Sequence, residues 1–170
     1  PSNPYDPRFR YYFYLQNGTI TLARAHGDAG PPVASDFNSM PVHGLYPIGG
    51  KYNDGTTGAT NRNMGAVGQG AHIILTNSFT QFLIAEAELM VNGNVGGARN
   101  ALQNGISASM QKVTNFRTFG IPSGADVPTQ DDINNYIAEA LAQYDNASGS
   151  QAKLNIIITE YYKALFGNGL

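Results

Sequence analysis

The first candidates for chemistry in this 170-residue chain are its three histidines. His26, His43 and His72 stand far apart, and none falls in a ligand spacing such as H-E-x-x-H. They read as unrelated surface or loop residues. Cysteine is absent, which excludes disulfides, thiolate metal sites and a cysteine nucleophile. The glycines of "GAVGQG", Gly65 to Gly70, do not match G-x-G-x-x-G, and the chain has neither a G-K-[ST] phosphate loop nor a G-x-S-x-G elbow. Asn17-Gly18-Thr19 and Asn146-Ala147-Ser148 match the glycosylation acceptor pattern, which is short enough to occur often by chance. "YNDGTTGATNRN", residues 52–63, is rich in oxygen donors. Asp54 is its only carboxylate and its spacing departs from a calcium loop, so it reads as a polar turn.

The carboxylates offer little more. Glu86 falls within the apolar stripe of a helical pattern, where it must pair or reach water; a structural bridge between helices is expected. Asp131, Asp132, Glu139 and Glu160 read as solvated helix-surface acids rather than a glycosidase pair. No catalytic residue, metal or cofactor is therefore expected. Tyr46 and Tyr52 differ in kind. Beside Lys51, Asn53, Asp54, Asn61 and Arg62 they combine flat apolar faces with directional hydrogen-bonding groups. That combination suits sugars, whose C–H faces stack on rings while their hydroxyls need donors and acceptors. The competing reading is that the tyrosines anchor a long loop. Tyr46, Lys51, Tyr52, Asn53, Asp54 and Arg62 are the candidate ligand-binding set.

The elements that must position these residues divide the chain in two. Phe9, Tyr11, Phe13 and Leu15 alternate with Arg10, Tyr12, Tyr14 and Gln16; Asn17-Gly18 follows, then the β-rich run Thr19 to Leu22. This predicts an N-terminal β-hairpin. From Gly27 to Gly70 neither a helical nor a strand period survives, which predicts a long glycine-rich loop, ordered by Phe37, His43, Tyr46 and Tyr52. From Ile73 the pattern turns helical. Phe79, Phe82, Leu83, Leu89 and Met90 form a first stripe stopped by Gly93, and Asn94 caps a second carrying Ala98, Leu102, Ile106, Met110 and Val113. The two are joined tightly enough to pair as an antiparallel hairpin.

After a break at "FGIPSGADVP", Thr129 caps a third helix, with Asp131 and Asp132 in its first turn and Ile133, Tyr136, Ile137, Ala140, Leu141 and Tyr144 on one face. A fourth carries Leu154, Ile157, Ile158, Tyr161, Leu165 and Phe166, which should be buried against the others, and ends at Gly167. The expected fold is mainly α, built of helix hairpins, in one region spanning 1–170. A hairpin-and-loop segment (1–72) precedes a helical segment (73–170). The net charge of −2, without blocks of like charge, gives no case for nucleic acid or an acidic membrane surface. No stretch approaches the roughly 20 apolar residues of a membrane span, and "PSNPYDPRFR" does not read as a signal peptide.

Five segments, taken in order, resemble the SusD/RagB family of Bacteroidetes outer-membrane nutrient-binding lipoproteins. They are "DPRFRYYFY" (6–14), "FTQFLIAEAELMVNG" (79–93), "ARNALQNGISASMQKV" (98–113), "INNYIAEALAQYDNA" (133–147) and "KLNIIITEYYKALFGNG" (153–169). The resemblance covers most of the chain outside the glycine-rich loop. It implies a SusD-like helical fold and a C-terminal-region fragment of a longer protein. That protein would be lipid-anchored on the cell-surface side of the outer membrane, as a lid on a SusC-like TonB-dependent transporter. Its implied function is non-catalytic capture of an oligosaccharide, or in some branches a peptide, for import. Ligand-contacting residues vary across the family, so the resemblance transfers none, and the loop tyrosines remain candidates from residue type alone. The alternative of a different class is a helical scaffold whose ligand is another protein.

Overall fold

A computed structural model of the chain describes residues 6–8, 13–14, 42–43, 74–115 and 129–166. The described residues are mainly helical. The chain divides into two compact units, one made of Pro1–Pro7, His72–Asn115 and Pro128–Leu170, the other of Arg8–Ala71 and Phe116–Val127. In the second unit a two-residue antiparallel ladder joins β1 (Phe13–Tyr14) to β2 (Val42–His43), with Phe13 opposite His43 and Tyr14 opposite Val42. Phe13 and Tyr14 come from the first arm of the expected hairpin. Its Asn17-Gly18 turn and second arm, and the rest of the glycine-rich loop, lie outside the described residues.

Among its described residues the first unit holds four helices: α1 (Asn77–Met90), α2 (Val95–Asn115), α3 (Gln130–Asn146) and α4 (Gly149–Leu165). Their starts follow from capping chemistry. Thr76 Oγ1 accepts the Phe79 N–H, satisfying one of the donors that a helix N-terminus leaves without an intrahelical partner. Asn94 Oδ1 does the same for Gly97 N at 2.9 Å. At α3 the expected Thr129 cap is a full capping box: Thr129 Oγ1 accepts the Asp132 N–H, and Asp132 Oδ2 accepts the Thr129 N–H.

The α1–α2 connection is short and tied by side chains. Gly93, the expected stop, sits at φ +65°, where a Cβ would be strained. The two carboxylate oxygens of Glu88 accept from Asn92 Nδ2 (3.2 Å) and Asn94 Nδ2 (2.7 Å), so one acid holds both ends of the turn.

One core joins all four helices. From α1 it takes Phe79, Phe82, Ala85 and Leu89; from α2, Ala98, Ala101, Leu102, Ile106 and Met110. Ile133, Ala140, Leu141 and Tyr144 come from α3, and Ile157 and Ala164 from α4. Val113 is fully buried too, so the expected face of α2 is internal along its whole length. On α3, Tyr136 and Ile137 pack at the margin of the core, as their positions on the stripe require.

The stripes of α1 and α4 differ from expectation. Leu83 and Met90 are about half exposed, because the buried line of α1 runs Phe79, Phe82, Ala85, Leu89 in steps of three and four, and these two fall to its side. On α4 the buried line is Ile157, Glu160, Ala164, flanked by half-buried Leu154 and Tyr161, while Ile158, Leu165 and Phe166 are exposed. A small residue at 164 and a compensated carboxylate at 160 let this face, rather than the greasier one, turn inward. Gly167 lies outside the described residues, and α4 ends with Phe166 as its C-cap.

Helix α1 packs tightly against α2. A Cβ built on Gly105 would stand 3.0 Å from two ring carbons of Phe82. The ring packs where a side chain would otherwise be. Phe82 stacks in turn on Tyr161 of α4, centroids 5.5 Å apart and planes at 20°, and Phe79 meets the same tyrosine at 5.6 Å. Gly105→Ala should therefore cost about 1–3 kcal/mol despite the better helix propensity of alanine, the range for overpacking a filled core. Denaturant unfolding measures it, and a neutral or stabilising result would mean that Phe82 moves aside freely. By the same method Ile157→Ala should cost about 2–5 kcal/mol, and Leu165→Ala about 0.5 kcal/mol or less, as for a surface position.

Candidate functional site

None of the six sequence-derived candidates, Tyr46, Lys51, Tyr52, Asn53, Asp54 and Arg62, falls among the described residues, and neither do Asn61, His26 or His72. His43 lies in β2. Among the described residues no group of three or more His, Asp or Glu is placed to hold a metal ion. No helix there is long and apolar enough to cross a membrane.

Among the described residues a buried polar cluster lies between α3 and α4. Glu160 is 4% exposed. Tyr136 Oη donates to its carboxylate, 3.1 Å from Oε1 and 3.0 Å from Oε2, and Lys163 Nζ donates to Oε1 at 2.6 Å. Lys163 Nζ also donates to Tyr136 Oη at 2.8 Å and stands 5.4 Å from the centre of that ring. The phenol thus acts both as a donor, to the carboxylate, and as an acceptor, from the ammonium, as a hydroxyl can. Lys163 follows Glu160 by three residues, one helical turn away, and its stem reaches back while its ammonium stays partly in water.

A phenol, an ammonium and a carboxylate within hydrogen-bonding distance are the parts of a proton relay. Here they face one another, and their chemistry is mutual satisfaction of a charge that burial would otherwise make costly. The cluster does the bridging expected of Glu86. Glu86 is half-buried, and its carboxylate makes no hydrogen bond or ion pair among the described residues. The expectation of a solvated Glu160 is likewise corrected. Residue type could not tell the two acids apart; the only signal was a carboxylate three residues from both Ile157 and Lys163, on the turn leading to Ala164.

A second polar tie joins α2 to α3. Arg99 Nε donates to Asp145 Oδ1 and Oδ2 at 2.8 and 3.0 Å, and its Nη2 donates to Oδ2 at 2.9 Å. These bonds from the guanidinium hold the Asp145 carboxyl below the usual carboxylate range, and the same pairing raises Arg99. Both side chains are well exposed, so the pair fixes geometry more than it stabilises. Next to it Tyr144 is fully buried; its Oη donates to Val95 O at 3.1 Å. Lys153 Nζ donates to Tyr144 O and lies 4.5 Å from the ring centre. Burial pushes the Tyr144 phenol above its ordinary value, with the Asp145 charge acting in the same direction.

Outside these ties, α1 and α4, which pack together, carry exposed apolar side chains: Leu83, Ile84 and Met90 on one, Ile158, Tyr162 and Leu165 on the other. Comparison of the chain with protein-family models, with curated proteins and with solved structures found no match.

The Tyr144 environment sets a pH dependence whose sign is fixed. A phenol raised in the folded state favours folding fully below the unfolded value of about 10, and this stability is lost as pH rises from there toward the folded value. Tyr144→Phe should lower stability near neutrality by about 1 kcal/mol, through the lost bond to Val95 O, and flatten the decline above about pH 10. Thermal melts from neutral to alkaline pH measure both effects. An unchanged alkaline limb in the variant would assign that limb to other groups.

Proposed function

We propose that this chain is part of a cell-surface nutrient-capture protein of the SusD/RagB kind, which binds an oligosaccharide and passes it to a SusC-like TonB-dependent transporter. The observation that carries the reading is the ordered series of five segments. The four after the first supply, one each, the buried faces of α1 to α4, with Gly93 ending the first helix and Asn94 opening the second. In this reading the protein acts outside the outer membrane, tethered by a lipid anchor, and needs neither metal nor cofactor. Its sugar-binding residues are Tyr46 and Tyr52, edged by Lys51, Asn53, Asp54 and Arg62. The α3–α4 cluster is architectural, because each of its three groups is engaged by the other two.

Stacking a tyrosine on a sugar removes apolar area from water, so Tyr46→Ala and Tyr52→Ala should each weaken glycan binding by about 1 kcal/mol or more. Calorimetry of the full-length protein against a panel of oligosaccharides checks this. Unchanged affinity in both variants would move the site elsewhere. Peptides in the same panel test peptide capture. No release of reducing ends is expected from any bound oligosaccharide; turnover abolished by changing Asp54 or Glu86 would overturn the non-enzymatic reading.

A second reading, a helical scaffold for another protein, is favoured by the exposed apolar side chains of α1 and α4. It expects Ile84→Asp and Tyr162→Asp to abolish a protein interaction while leaving glycan binding alone.

A further inference from the structure

The α1–α2 turn holds an Asn-Gly pair in an unusual setting. Asn92 and Gly93 are both exposed. The Gly93 N–H makes no hydrogen bond among the described residues, whereas its neighbours' do: Val91 and Asn92 N donate to Ala87 O, and Asn94 N to Glu88 O. Glycine also carries no Cβ to shield that nitrogen. The side-chain amide of Asn92 in turn points at an acid, donating from Nδ2 to Glu88 Oε1. The same dipeptide recurs at Asn104-Gly105, inside α2, where Gly105 is buried under Phe82 and its N–H belongs to the helical ladder.

We infer that Asn92 is a site of spontaneous deamidation and isoaspartate formation, and that the product carboxylate, facing Glu88, unfastens the α1–α2 turn. The Gly93 amide gives its proton to hydroxide or buffer base, and its nitrogen attacks Cγ of Asn92. The N–Cγ bond forms, the Cγ–Nδ2 bond breaks, and Nδ2 leaves as ammonia after taking up a proton from solvent. Water then opens the five-membered imide. Attack at Cγ restores a normal backbone with aspartate at 92; attack at the main-chain carbonyl leaves the backbone running through the side chain as isoaspartate. The balance is asparagine plus water giving the acid plus ammonia, with no oxidant or reductant.

The consequence follows from what Glu88 holds. Conversion replaces a donor to Oε1 with a second negative charge, and like charges one helical turn apart repel. Glu88 also accepts from Asn94 Nδ2, while Asn94 Oδ1 caps α2 at Gly97. Repulsion at position 92 therefore reaches the start of α2. The isoaspartate form adds a methylene to the main chain and shifts the turn directly.

The test is peptide mapping by mass spectrometry after incubating the full chain at mildly alkaline pH, with isoaspartate scored by electron-based fragmentation. Acid and isoaspartate should accumulate at 92, faster as pH rises, with none at 104. Loss of the product in Asn92→Gln should follow. No conversion at 92, while a synthetic peptide spanning 86–98 converts under the same conditions, overturns the site; so does conversion at 104 that keeps pace with 92. For the consequence, Asn92→Asp should melt below Asn92→Ala, and adding Glu88→Gln to Asn92→Asp should recover part of the loss. Equal melting of the two single variants, or no recovery, overturns the unfastening.

Discussion

The ring of Phe82 against the bare backbone of Gly105 is the contact on which the helical unit depends. It sets how closely α1 approaches α2, with ring carbons 3.0 Å from where a Cβ would stand, and its other side stacks on Tyr161 of α4. One side chain of α1 thus meets two of the other three helices. Interiors are packed to crystal-like density, so a constraint of this kind propagates. Tyr161 is held by Phe79 as well, which fixes the rotation of α4 about its axis and brings Ile157 and Ala164 inward.

That rotation decides the fate of the polar residues. With Ile157 and Ala164 inside, Glu160 between them must be inside too, and a buried carboxylate survives only with compensation. Tyr136 and Lys163 provide it from α3 and from the next turn of α4. The price of the aromatic stack is therefore a buried carboxylate paired with a half-exposed lysine. The cluster in turn ties α3 to α4 through Tyr136 and Glu160.

The same rotation leaves Ile158, Tyr162 and Leu165 exposed, on the helix that packs against the one carrying exposed Leu83 and Ile84. Apolar residues scattered singly over a surface are ordinary, whereas a large contiguous apolar patch is the mark of an interaction site. The polar ties at the helix ends are of another kind. The Glu88 turn and the Arg99–Asp145 fork lie in water, contribute little stability, and act by limiting the ways in which the helices can connect.

Local physics was legible in the sequence, and global rotation was not. The caps Thr129 and Asn94, the stop at Gly93, the existence of four helices and the internal faces of α2 and α3 followed from short-range hydrogen bonding and a dense three- and four-residue period. These depend on neighbours within one or two turns, so residue types determined them. The inward faces of α1 and α4 did not follow, because both helices carry apolar residues around more than half of their circumference, and several rotations bury similar area. Packing against Gly105 and Tyr161 chose among them, exposing Leu83 and Leu165 and burying Glu160. The candidate sugar-binding residues stand where the sequence shows chemistry without period, so residue type alone names Tyr46 and Tyr52. The polar cluster that tertiary structure did assemble joins residues 136, 160 and 163 across two helices, a proximity that no local pattern encodes.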